Sequence, residues 1–365
     1  MATNNSPLIS ADDEWSPLKA IIVGRAEHSA FPCDPPHMMA ATMVKQYVSE
    51  FRPNNPFPAE ILEKAQQELD GFAAVLKQHG VHVYRPKEVD WLKVGGYTGA
   101  MPRDTFMTVG NTLIESPFAW RCRQEEVDLG YSDILEQLSS SGSARICRPP
   151  KIVGKDTIYD GIVDGIDGDH ISGDVNGDVN GDMKSWAINN SRPAFDTADF
   201  MRFGKTIIGQ ISNVTNPKGV QYLQALIPEG YTVEILETTD DLTTRHIDTT
   251  IMPLRQGLMV YVPTRTTEES IRKHDIFRDW ELYSYPFVPK PRLPPSPPSY
   301  MCSEWLCVNV LSLDGRIVFI EENNVEFANW LREKFDMEPI MLPFQNVNSI
   351  GGSFHCATTD LVRLT

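Results

Sequence analysis

At 365 residues, with 41% hydrophobic and 22% charged residues, the chain can bury one large core or two ordinary ones. Its net charge of −16, with no Lys/Arg-rich run, argues against nucleic acid as a partner, and no apolar stretch nears the roughly 20 residues that a bilayer demands. The start, MATNNSPLISADDEW, has neither a basic opening nor an apolar h-region, and six cysteines are too few for a disulfide scaffold. A soluble, cytoplasmic protein of a reducing compartment is expected.

In chain order, the first apolar extended run is SPLKAIIVG (16–24). Residues 58–79 then place Ile61, Leu62, Ala65, Leu69, Phe72, Val75 and Leu76 at spacings of three and four, which predicts a helix. Gly80 supplies its stop and VHVYRP the next strand. Strand pairs are predicted in PRDTFMTVGNTLIES (102–116), DTADFMRFGKTIIGQIS (196–212), RHIDTTIMPLRQGLMVYVP (245–263) and EWLCVNVLSLDGRIVFIEE (304–322). Gly110-Asn111, Gly204-Lys205 and Asp314-Gly315 fit hairpin turns. Helix-then-strand order recurs at 219–237 and 326–344, so strand pair, helix and strand repeat at irregular intervals. A doubly wound sheet would alternate more simply; a closed ring of such units is the preferred architecture.

Two stretches break the pattern. YPFVPKPRLPPSPP (285–298) holds seven prolines and must be an extended surface loop. Residues 160–182 carry seven aspartates and six glycines and read as a loop insertion. Asp174, Asn176 and Asp178 match the first ligands of an EF-hand, but Val179 stands where glycine is needed and Ser185 where glutamate is. A solvated acidic loop is the first reading there and weak calcium binding the second. Nucleotide fingerprints are missing, GGSFH departs from the serine elbow at His355, and Cys302 and Cys307 lack a second metal-binding pair. No metal and no cofactor are expected.

Polar residues at the starts of the repeated strands carry the remaining chemistry: Asp104, Asp196, Asp199, His246 and Asp248. In an extended run residues two apart share a face, so His246 and Asp248 would project together with Ile247 on the apolar side. In a ring these starts converge on the axis, where they would meet Cys356 of SIGGSFHCATTD (349–360). Each has a plainer alternative: a turn cap for either aspartate, a strand-edge histidine, an inert buried cysteine. By the same reasoning His355, a neighbour within an extended run, points away from the site.

At these residues the sequence closely resembles the arginine-dependent amidinotransferases. The matching segments are AMPRDTFMTVGNTLIESPFAWRCR (100–123), PAFDTADFMRFG (193–204), RHIDTT (245–250), SEWLCVNVLSLD (303–314) and NVNSIGGSFHCATTDLVR (346–363). The resemblance implies an α/β fold, a five-bladed α/β-propeller of ββαβ modules around a central active-site channel, built as one domain over residues 1–365. It implies Cys356 as nucleophile, His246 as acid/base and Asp196 as the group that orients the histidine. Asp248 and Asp104 would grip the guanidinium, with Arg265 on the substrate carboxylate and Ser303 and Asp199 completing the substrate-binding set. Cys302 replaces a serine of the glycine-specific members, and Thr243, Thr244 and Arg245 replace their Asn-Pro-Met run, so an acceptor other than glycine is expected.

The implied reaction is ping-pong. Cys356 takes the amidino group of L-arginine, releases ornithine and passes the group to an acceptor amine, as in guanidine alkaloid and toxin pathways of the saxitoxin or cylindrospermopsin type. An arginine deiminase-type hydrolase, a glycine amidinotransferase and a non-catalytic binding module are the rivals. The expected partners are the small-molecule donor and acceptor, with no nucleic acid and no membrane, and a homodimer is the assembly considered.

Overall fold

A computed structural model describes residues 9–35, 38–39, 42–140, 144–161, 186–239, 246–290, 292–302 and 304–364. Most of the acidic insertion, together with Thr243, Thr244, Arg245 and Ser303, lies outside the described residues. The fold is mixed α/β. Its strands form five three-stranded sheets of one design and a two-stranded ribbon, Arg25–Ala30 with Tyr97–Gly99.

In four of the sheets the chain makes a hairpin, runs through a helix and returns parallel to the hairpin's second strand. Phe106–Val109 pairs antiparallel with Thr112–Glu115, which pairs parallel with Arg145–Cys147 beyond the helix Ser132–Ser140. The same order joins Phe200–Phe203, Thr206–Gly209 and Thr232–Ile235 around Pro217–Leu226. It recurs in Ile251–Arg255, Leu258–Tyr261 and Glu281–Ser284 around Glu268–Arg272. The fourth case is Leu311–Ser312, Ile317–Glu321 and Glu338–Leu342 around Val325–Phe335. The expected turn glycines bend these hairpins: Gly110, Gly204 and Gly315 have φ of +55°, +68° and +80°.

The fifth sheet is assembled from distant segments. The run at 16–24 has no hairpin partner next to it in sequence. Leu18–Val23 pairs antiparallel with Thr358–Arg363, the far end of the chain, and parallel with His82–Tyr84. The first and last strands thus complete a unit that neither end makes alone.

The predicted helix spans Ala59–Gln78 and buries Ile61, Ala65, Leu69, Phe72, Ala73 and Leu76 along one face. Phe72 meets Phe319, Phe344 and Phe354 edge-on, and Phe344 stacks on Phe354 at 4.0 Å between centroids. Burying Phe354 completely contributes about 2–3 kcal/mol and fixes the turn that follows it. The described part of the proline-rich loop has neither helix nor strand. With residues 42–47 it encloses a cavity of about 660 Å³ whose wall includes Met301 and Cys302. Among the described residues no helix is long and apolar enough to cross a membrane.

Candidate active site

A short helical turn precedes the first strand of every sheet unit, and these five turns carry the site. They are Pro102–Thr105, Thr197–Asp199, Ile247–Thr249, Glu304–Val308 and the turn at 354–357. The sequence reading treated these lead-ins as extended. Turns of three to five residues are too short to show a helical period, so the difference is in local geometry. Ile247 does face the apolar side, fully buried among Met201, Phe203 and Phe277.

Cys356 sits at the centre, 3% exposed. Its thiol donates to Asp248 Oδ2 at 3.2 Å. Asn309 clasps the same residue, donating through Nδ2 to Sγ at 3.2 Å and accepting the Cys356 backbone N–H on Oδ1 at 3.2 Å. The glycines before the cysteine are steric necessities. A Cβ on Gly352 would stand 2.4 Å from Cys356 Cβ, and Gly351, at φ +134°, would put one 2.8 Å from the Tyr97 hydroxyl.

Ligating atoms of His246, Asp248 and Cys356 lie within 4.8 Å of one another, and so do those of Asp104, Asp196 and His246. His246 thus joins two trios whose donor types suit a divalent ion as well as an organic cation. Its Nε2 is 3.2 Å from Asp196 Oδ2 and its Nδ1 is 3.7 Å from Asp104 Oδ1. Burial opposes its charge, but Asp104, the hydrogen bond to Asp196 and the charge of Asp199 prevail and raise its pKa to about 9. It is an imidazolium at neutral pH.

Cys356 is held the other way. Burial first, then the charges of Asp248 and Asp104, push its thiol well above the usual range. Burial and the two carboxylates together outweigh the neighbouring imidazolium, and the sulfur keeps its proton in the absence of a bound cation.

The two carboxylates share an asymmetry. Asp104 Oδ2 accepts from Arg123 Nη1 at 2.7 Å, while Asp248 Oδ2 lies 2.8 Å from His355 Nδ1. The partner oxygen of each, Oδ1, is buried and accepts no hydrogen bond; among the described residues they are the only buried carboxylate oxygens in that condition. An oxygen so placed costs free energy until a donor arrives.

Other expected residues stand further back. Asp199 is fully buried, and its carboxylate accepts from Gln210, Ser212 and Thr215, so it acts on His246 by charge and not by contact with a ligand. Arg265 is held by its Nε bond to Thr250 Oγ1 at 2.8 Å, behind the turn that carries His246 and Asp248. Cys302 donates to the Gly351 carbonyl at 2.7 Å.

Three further residues escaped the sequence reading. Asn309 occupies in its unit the place that Asp104 and Cys356 hold in theirs, two before the first strand, and that position was its signal. Arg123 is packed between Phe118 and Tyr97 and bound to Glu126 as well as Asp104. His355 was set aside because an extended run would turn it outward; in the observed turn it faces Asp248.

No family model matches the chain. It is similar to an L-arginine:L-lysine amidinotransferase of Pseudomonas savastanoi pv. phaseolicola, 36% identical over 362 residues that cover 96% of this chain and 93% of that one. It is 31% identical over 373 residues to the mitochondrial glycine amidinotransferase of Xenopus tropicalis, covering 99% of this chain and 84% of the relative. Among solved structures, an amidinotransferase of Microseira wollei from the saxitoxin biosynthetic pathway superposes with a TM-score of 0.82. It covers 98% of both chains at 29% identity.

Proposed function

The chain belongs to the amidinotransferase family and is an enzyme of that kind, and from this premise we propose that Cys356 carries the amidino group of L-arginine to an amine larger than glycine. The five sheets are read as the blades of one α/β-propeller domain, with the short turns gathered at its axis. One observation supports the donor above the rest: two buried carboxylate oxygens, Asp104 Oδ1 and Asp248 Oδ1, that accept no hydrogen bond. A guanidinium is planar, cationic and edged with N–H donors, and two carboxylates can fix its plane for attack.

Arrival of that cation offsets the negative charges that keep Cys356 protonated, and the thiol loses its proton to solvent. The sulfur attacks Cζ, and the His246 imidazolium gives its proton to the departing Nε as the Cζ–Nε bond breaks, so ornithine leaves as a neutral amine. An amidino-thioether remains on Cys356. The acceptor amine attacks the same carbon, the now neutral His246 takes a proton from the attacking nitrogen, and the thiolate is released. Asp196 holds the imidazole in orientation throughout. Arg265 is the candidate for the donor's carboxylate.

Two facts favour an acceptor larger than glycine: the lysine-named relative is the more similar of the two curated relatives described, and Cys302 stands in a serine's place. A mass spectrum of the arginine-treated protein should show one amidino group on the Cys356 peptide, missing in Cys356→Ala. Steady citrulline formation without acceptor would indicate the hydrolase instead. Ornithine release faster with glycine than with lysine or bulkier amines would overturn the acceptor assignment.

A further inference from the structure

Residues 9–16 run across the ends of several sheets. Ser10 bridges Val362, Ala11 bridges Gly110 and Asp13 bridges Phe203. This path delivers Glu14 into the interior, 4% exposed, where Arg202 binds it through Nε at 2.8 Å and Nη2 at 2.7 Å. The same carboxylate reaches His355, with Oε2 3.3 Å from Nε2. The opposite ring nitrogen, Nδ1, is 2.8 Å from Asp248 Oδ2, which also receives the Cys356 thiol. Glu14, His355 and Asp248 are at most 4% exposed, so no solvent competes for these bonds.

Both neighbours of the imidazole are carboxylates, so each ring nitrogen faces an acceptor. We propose that Glu14 and His355 are positioning residues that fix Asp248, holding its Oδ2 so that Oδ1 is left facing the guanidinium. The inference rests on the amidinotransferase reading of the site and assigns the N-terminal segment a part in substrate binding. Without His355 the Asp248 carboxylate would be free to turn, pairing both oxygens with the Asn309 and Cys356 side and losing its aim. Without Glu14 the ring would keep its bond to Asp248 but lose its anchor.

The geometry sets an order among substitutions that packing alone would not. An asparagine amide reaches the place of Nδ1, and a glutamine amide that of Nε2. His355→Asn therefore retains the donor to Asp248, while His355→Gln retains the one to Glu14. In the full chain carrying Cys356→Ser, which removes the thiol that would form the thioether, L-arginine affinity is read by calorimetry beside thermal melting of each variant. We expect Glu14→Gln and His355→Asn to bind about threefold to tenfold more weakly than the parent. His355→Gln should lose about a further tenfold, the size of one charge-assisted hydrogen bond. Equal affinities for the two His355 amides, or parent-like binding by His355→Gln, would overturn the relay alone. A parent that does not bind arginine would overturn the function on which it rests.

Discussion

Cys356 is surrounded by negative charge, and that makes its reactivity respond to substitution with an unusual sign. Burial first, and then the charges of Asp248 and Asp104, hold its thiol pKa up, so removing either charge should bring more thiolate, not less. Iodoacetamide labelling of the Cys356 peptide at pH 8 should quicken about threefold or more in Asp104→Asn, one lost neighbour charge being able to move a pKa by half a unit or more, even as ornithine release collapses. A slower label in that variant would remove the carboxylates from control of the sulfur. His246 titrates in the opposite sense. Its folded pKa of about 9 lies above the unfolded value of about 6.5, so its stabilising charge pairs are complete below 6.5 and lost as pH rises through 9. In the proposed mechanism the imidazolium is the acid, so the alkaline limb of the arginine half-reaction should fall near pH 9. Asp196→Asn, which weakens the hold on that proton, should shift the limb downward; a limb that stays in place would mean that another group donates it.

At the scale of single elements, the turns and glycines govern how firmly the groups are aimed. Gly352 presses on Cys356, so a methyl added there must displace the proposed nucleophile or the backbone, and Gly352→Ala should lower ornithine release about a hundredfold, the penalty of a misplaced reacting atom. Gly71 is the counterpart. It lies inside the helix Ala59–Gln78 with open space where a Cβ would go, so Gly71→Ala should stabilise by about 0.5–1 kcal/mol and leave turnover unchanged. Urea unfolding and ornithine assays check the pair, and the reverse ranking would contradict the packing. These elements also mark the limit of what the sequence discloses. The helix with its Gly80 stop and the hairpin glycines were legible because each rests on local periodicity or a local φ. Asp104, Asp196, His246 and Asp248 were legible as polar residues at strand starts, and Cys356 as a cysteine in a glycine-rich run that those starts would meet. Their helical lead-ins were not, and that one misreading turned His355 away from Asp248. Arg123 and Glu14 were hidden for another reason: their partners lie 19 and 341 residues away, on elements that only the assembled fold brings together.

Over the whole molecule, one buried ionic cluster ties the chain ends to the middle. Asp360, on the last strand, accepts from Arg103 at 2.7 Å, Arg202 at 2.7 Å and Arg363 at 2.6 Å, and Arg202 continues to Glu14. Four segments separated by up to some 350 residues therefore depend on carboxylates staying ionised, and the closing pair of Leu18–Val23 with Thr358–Arg363 depends on them too. Burial by itself would favour the neutral acid at Asp360. The three guanidinium groups overcome it and hold the carboxyl well below the ordinary range. A depressed folded pKa contributes stability above the unfolded value of about 3.9 and loses it as pH falls from there toward the folded value. Acid should thus unfold the molecule cooperatively, since protonating Asp360 loosens the joint between its two ends. Asp360→Asn should cost about 3–5 kcal/mol at pH 7, because it leaves buried guanidinium charge uncompensated. It should also flatten the fall of the urea midpoint below pH 4, having no proton to take up there. If the variant keeps the wild-type slope between pH 4 and pH 2, acid sensitivity must arise in other carboxylates, and the cluster would be a packing feature rather than the clasp that holds first strand to last.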